Sequence, residues 1–150
     1  MLDRLSERGH GLPVVAPCAG SVEALRRLDV QRMVLFSPPW FDAELNALGR
    51  GYYETAGFDV ISAERCELPS AQTSVNPAAM AEAVLTKTAH DAEAVVIGGN
   101  GFRAVGVIDL LEDKLGVPVL TANQVLLWAA LDVAHAATQP VVGYGQVFER

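Results

Sequence analysis

The sequence has 150 residues, 51% of them hydrophobic, with a net charge of −7 and a pI near 4.8. That is enough apolar material for one packed domain, and it lacks the basic face that nucleic-acid binders present. No apolar run approaches the ~18 residues that cross a bilayer, and the charged start Met1-Leu2-Asp3-Arg4 leads into no apolar signal segment, so a cytoplasmic, non-membrane protein is expected. Cys18 and Cys66 and the scattered His10, His90 and His135 show no metal-ligand spacing, and a disulfide is not expected in a reducing compartment.

In chain order, Gly11-Leu12-Pro13-Val14-Val15-Ala16-Pro17-Cys18 reads as a strand and turn entering a helix that carries Val22, Leu25 and Leu28. Met33-Val34-Leu35-Phe36 is a continuous apolar run, as expected of a strand covered on both faces. Ser37-Pro38-Pro39 stops it. A helix is predicted over about 40–56, with Phe41, Leu45, Leu48 and Tyr52 at three- and four-residue spacing and Gly57 at its end. Residues 58–61 form the next predicted strand, and 62–75 the longest loop.

Asn76 and Pro77 then supply an N-cap and a first helical residue for a helix reaching about Ala89. The third strand, 93–97, runs into Gly98-Gly99-Asn100-Gly101. A helix over about 104–115 closes at Gly116, a fourth strand covers 117–120, and a last helix covers about 123–137. The tail 141–148 reads as a short extended piece. Strands separated by helices in this rhythm imply an α/β fold, a doubly wound parallel sheet of about four strands.

Two stretches repeat one pattern. Residues 11–18 and 116–123 both read Gly-aliphatic-Pro-Val-aliphatic, then a turn, then a helix. The second copy closes the four-strand unit that starts at Met33, whereas the first stands at the beginning of the chain. The division expected from this is residues 1–30 as the final strand and helix of an incomplete first lobe, and 31–150 as a complete second lobe, with Met1 as an internal start among the alternatives. The last helix is apolar almost all round from Val125 to Ala134. Such a helix calls for burial on every side, so either a missing lobe or a second copy of the chain is expected to cover 123–137.

Taken in order, several stretches resemble the aspartate/glutamate racemase superfamily, in its maleate isomerase and arylmalonate decarboxylase branch. They are Gly-Leu-Pro-Val with Val22-Glu23-Ala24-Leu25, the strand ending Ser37-Pro38-Pro39-Trp40, Gly99-Asn100-Gly101-Phe102-Arg103-Ala104, Gly116 to Gln124 with Trp128, and Gly143-Tyr144-Gly145. The resemblance implies two lobes facing each other across a cleft. It also implies isomerisation, racemisation or decarboxylation of small carboxylic acids without metal or organic cofactor, by a thiol from each lobe. Here Gly99 stands where the second-lobe thiol would fall, and the first-lobe loop would lie upstream of Met1. The expectation is a partial enzyme, inactive alone; a non-catalytic carboxylate-binding or oligomerising module of the same fold is the alternative.

The candidate substrate-binding residues are Gly99, Asn100, Gly101, Phe102, Arg103, Thr121, Asn123 and Trp40. The glycine-rich loop suits an anion because backbone N–H groups and a helix N-terminus converge there, although a tight turn has the same composition. Arg103 fits either a bidentate carboxylate clamp or a surface pair with an acid such as Asp109. Thr121 and Asn123 fit a ligand role, and Asn123 equally an N-cap. Trp40 fits a cavity wall or, as the stronger reading, core packing. Cys18, at a helix start where thiol pKa values fall, is off the family's catalytic position and reads as a small half-buried filler before it reads as a nucleophile.

Overall fold

The computed structural model describes residues 2–69, 71–136 and 141–149. Ten regular elements follow one another: α1 (Leu2–Arg8), α2 (Pro17–Arg27), β1 (Arg32–Ser37), α3 (Ala43–Thr55), β2 (Asp59–Arg65), α4 (Pro77–Lys87), β3 (Ala94–Ile97), α5 (Ile108–Leu115), β4 (Val119–Thr121) and α6 (Ala122–Val133). The four strands are all parallel, in the order β2-β1-β3-β4. This is the doubly wound α/β sheet that the strand–helix rhythm predicts. None of the described helices is long and apolar enough to cross a membrane.

The continuous apolar runs are explained by alternation across the sheet. Met33, Leu35, Ala94, Val96 and Leu120 point into one core with Leu25, Tyr53, Val125 and Trp128 from α2, α3 and α6. Val34, Phe36, Val95, Ile97 and Val119 point into the other with Met80, Val84, Ile108 and Leu111 from α4 and α5. Each side chain buried this completely contributes roughly 1.5–3 kcal/mol. A polar residue at any of these strand positions would therefore face an apolar layer on whichever side it pointed.

The start of the chain joins this same body. Residues 12–16 form no strand and pair with none of the described sheet, while α2 buries Val22, Ala24 and Leu25 in the first core. The helices of the two repeats, α2 and α6, pack on each other, and Gly20 sets their separation. A Cβ at Gly20 would lie 3.0 Å from the Val125 carbonyl oxygen and 3.2 Å from Ala129 Cβ. Beside this crossing Arg27 stacks 4.9 Å from the centre of the Trp128 ring and bonds Asp132 at 3.2 Å. On its other side α6 leaves Leu127 45% and Val133 39% exposed.

Several boundaries differ from the sequence expectation. α3 begins at Ala43, not near Trp40, because Asp42 is its N-cap and accepts the Leu45 N–H at 2.7 Å; Trp40 sits in the preceding turn. β2 continues to Arg65, held by pairing with β1 through Ser37, so the loop after it is shorter than the polar composition suggests. The predicted helix from 104 is a short 3-10 turn at Val105–Val107 followed by α5. The tail ends in a 3-10 turn, Gln146–Phe148, in place of an extended piece. α6 ends at Val133, short of the predicted end near 137, and residue 137 itself lies outside the described ones.

One carboxylate fastens that tail. Glu112 Oε1 accepts the Val119 N–H at 2.9 Å and its Oε2 accepts the Gln146 N–H at 3.0 Å, so α5, β4 and the tail share it. Burial pushes its pKa above the ordinary glutamate range, against the lowering effect of those two bonds. The folded state then holds this proton to a higher pH than the unfolded chain does, so stability should fall as pH rises from the usual glutamate range through the raised value. Urea unfolding at a series of mildly acidic pH values should show this slope, and Glu112→Gln should flatten it. In the same assay Gly20→Val should lower stability by about 1–3 kcal/mol through overpacking of the α2–α6 crossing.

Candidate functional site

Parallel α/β sheets open a crevice beyond the carboxyl ends of their strands, and here a cavity of about 390 Å³ occupies that place. Its walls come from six parts of the chain. α2 gives Pro17, Cys18 and Ser21; β1 gives Leu35 and Ser37; the turn after it gives Trp40 and Phe41; α3 gives Gly49 and Tyr53; and β3 with its following loop gives Val96 to Gly101. Ala122, the first residue of α6, completes it, which brings the positive end of a 12-residue helix to the rim.

The loop after β3 is held against the end of β1. The Gly98 N–H donates to the Phe36 carbonyl at 2.8 Å, and the Phe102 N–H to the Gly99 carbonyl at 3.0 Å. Gly99 has φ +83°, and a Cβ built on it would lie 2.6 Å from Pro38 Cγ. Glycine at this position is therefore demanded twice, by the backbone conformation and by the proline ring packed on it.

The candidate residues divide between two neighbouring surfaces. Gly99, Asn100, Gly101, Trp40 and Cys18 line the main cavity. Arg103, Phe102 and Asn123 line a smaller depression of about 310 Å³, with Asn100 and Gly101 shared between the two. Phe102 is 2% exposed and meets Trp40 edge-to-face at 5.7 Å, so Trp40 serves both core and cavity wall. Asn123 is spent locally, donating through Nδ2 to the Asn100 carbonyl at 2.8 Å. None of the ion pairs among the described residues includes Arg103 or Asp109. Thr121 is buried at the end of β4 and lines neither space; its N–H donates to Gln124 Oε1 at 2.8 Å, which makes Gln124 part of the α6 cap.

Sequence reasoning overlooked Ser21, Ser37 and Tyr53. Ser37 carried a usable signal as the first residue after a predicted strand, where ligands gather. Ser21 follows Cys18 by three residues and Tyr53 follows Gly49 by four, so each shares a helix face with another wall residue. What the sequence lacked was any indication that these two faces point at one space. Burial pushes the Tyr53 phenol well above the ordinary tyrosine range, although its hydrogen bond with Ser21 pulls the other way, so the phenol stays a donor. Partial desolvation also raises the Cys18 thiol, although the residue as a whole is exposed. No group of three or more His, Cys, Asp or Glu among the described residues is placed to hold a metal ion.

Comparison with known proteins agrees with this geometry. A family model described as arylmalonate decarboxylase matches residues 1–148. The chain belongs to that family. Among solved structures, it is similar to an arylmalonate decarboxylase at 21% identity and a TM-score of 0.83, covering 93% of this chain and 62% of that one. It is similar to the maleate isomerase of Pseudomonas putida at 20% identity and a TM-score of 0.87, covering 98% of this chain and 61% of the other. A mutant Nocardia farcinica maleate cis-trans isomerase carrying a covalently bound succinylcysteine intermediate is 22% identical with a TM-score of 0.84, over 98% of this chain and 62% of that one. The chain thus spans about 61% or 62% of the length of these relatives. No curated protein matches it.

The Gly99 geometry has a direct consequence for a thiol introduced there. Gly99→Cys should lose roughly 1–3 kcal/mol of stability, the strain expected of a side chain in this backbone region, measured by urea denaturation. An unchanged midpoint would show that the loop relaxes freely away from Pro38.

Proposed function

We propose that this chain forms one wall of a cleft for small carboxylic acids, and that cofactor-independent isomerisation, racemisation or decarboxylation takes place only when a second lobe closes the other side. The observation that carries this reading is the position of the cavity. It lies at the strand ends of an arylmalonate decarboxylase-family sheet, with the Gly99–Gly101 amides and the α6 N-terminus at its edge to receive a carboxylate. Apolar side chains, Leu35, Trp40, Phe41, Val96 and Ile97, suit the remainder of such an acid.

What the wall lacks is an acid/base group at the family's position. Gly99 can neither attack carbon nor carry a proton, so carbanion chemistry waits on the second lobe. In this reading residues 1–30 end that other lobe and 31–150 form the present one, in a cytoplasmic setting. The exposed Leu127 and Val133 on α6 are covered by the second lobe or by another copy of the chain. The crowding at Gly99 favours one further reading, a carboxylate-binding or oligomerising module of the same fold with no chemistry of its own.

Phenylmalonate and maleate serve as probes. Each should raise the melting temperature of the purified chain in proportion to the logarithm of its concentration, and neither should be turned over, as judged by carbon dioxide release and by chromatography of the maleate. Turnover by the chain alone would contradict the requirement for a second lobe; the absence of any thermal shift would contradict the carboxylate site. Light scattering should find either a self-associated chain or one that associates with its complementary lobe, and a soluble monomer indifferent to both would remove the case for covering α6.

A further inference from the structure

The outer face of α3 is apolar along its centre and charged at its ends. Glu44, Leu48, Gly51 and Thr55 follow one another at three- and four-residue spacing, so they form one stripe along the helix. Leu48 is 68% exposed, more than any other large hydrophobic side chain of the described helices, and Leu45 and Tyr52 beside it are exposed as well. The Tyr52 ring is set edge-on against Tyr53, with centroids 5.4 Å apart. Between this stripe and α2 runs a groove of about 680 Å³, lined by Val22, Ala47, Gly51 and Ala56 among others. Gly51 is out of place there by the chain's own needs. Glycine inside a helix is destabilising relative to alanine, yet a Cβ built at Gly51 would meet nothing within 4 Å. Unlike Gly20, it makes room for no neighbour within the chain. What it leaves is a hollow into which a side chain from outside can settle.

The charges at the two ends select the occupant. Glu44 stands at the N-terminal end of the stripe. Arg26 of α2 lies at the other end, donating through Nη2 to the Ala56 carbonyl at 3.3 Å. None of the ion pairs among the described residues includes either of them. A surface with an acid at one end, a base at the other and a knob beside a hollow between them is complementary to itself turned end for end. We propose that two copies of this chain pair through α3, the two helices packed antiparallel about a two-fold axis. Each Leu48 settles over Gly51 of the other copy, with Leu45 and Tyr52 closing the sides. The same register sets each Glu44 opposite Thr55 of the other copy, beside its Arg26, because both facing pairs share one midpoint on the helix. The apolar centre supplies the attraction, and the two rim ion pairs fix register and orientation. This pairing uses no residue of α6 and does not depend on the carboxylic-acid reading.

Sedimentation velocity of the full chain over a concentration series should show a monomer–dimer equilibrium. Gly51→Leu places a good helix former in open space, so circular dichroism should find the fold intact while the dimer weakens by on the order of tenfold through overpacking of the hollow. Glu44→Arg and Arg26→Glu should each weaken it roughly tenfold, since each sets like charges face to face twice per dimer. Mixed in equal amounts, these two variants should pair with each other at close to the strength of the unaltered chain, because every facing pair is again opposite in charge. Neither a change in folding nor association through α6 would produce that rescue. The proposal is overturned by a chain that stays monomeric throughout the series, or by a dimer that Gly51→Leu leaves untouched. It is overturned equally by association that requires a separate complementary lobe, or by a mixture that pairs no better than either variant alone.

Discussion

The contact between Gly99 and Pro38 is the constraint from which the site follows. It brings the exit of β3 against the exit of β1, the two central strands of the sheet, and the bond from the Gly98 N–H to the Phe36 carbonyl fixes their register at that end. With those two exits locked, the amides of the loop, the α6 N-terminus and the α2 wall have one space to face. A left-handed backbone at Gly99 is what lets the loop turn there, so the residue that turns the loop is also the one that shapes the cavity.

The second organising contact is the crossing of α2 on α6 at Gly20. The repeated motif places a helix after each of two Gly-aliphatic-Pro-Val segments, and the two helices meet at Gly20 across a gap so narrow that an added Cβ would have to displace its neighbours. This explains why α2 shares a core with the sheet although the residues before it pair with no described strand. The same contact carries Cys18 and Ser21 to the cavity, linking the helix packing to the chemistry of the site.

Most of the fold was legible because the strands announce themselves twice. Met33 to Phe36 and Ala94 to Ile97 are apolar at every position, and in a parallel sheet with helices on both faces that pattern has one explanation. Asn76 and Pro77 marked the start of α4 through local chemistry alone. The start of α3 was misplaced because Trp40 and Phe41 fit the helical spacing while Asp42, three residues before Leu45, was the actual cap. The site was legible where it depends on loop composition, at Gly98–Gly101, and obscure where it depends on which helix faces converge. Ser37 and Tyr53 became visible only once α2, α3 and β1 were seen around one space, and Arg103 and Asn123 were drawn away to the neighbouring depression by packing that no local pattern encodes.

The central claim is that a half-cleft at the strand ends receives a carboxylate through the amides after β3. An amide-resolved NMR titration of the chain with phenylmalonate tests it most directly. The account predicts concentration-dependent shifts centred on Gly99 to Gly101 and Ala122, with Trp40 following. Shifts confined to the Arg103 depression, or none at the Gly99–Gly101 amides at saturating acid, would contradict it.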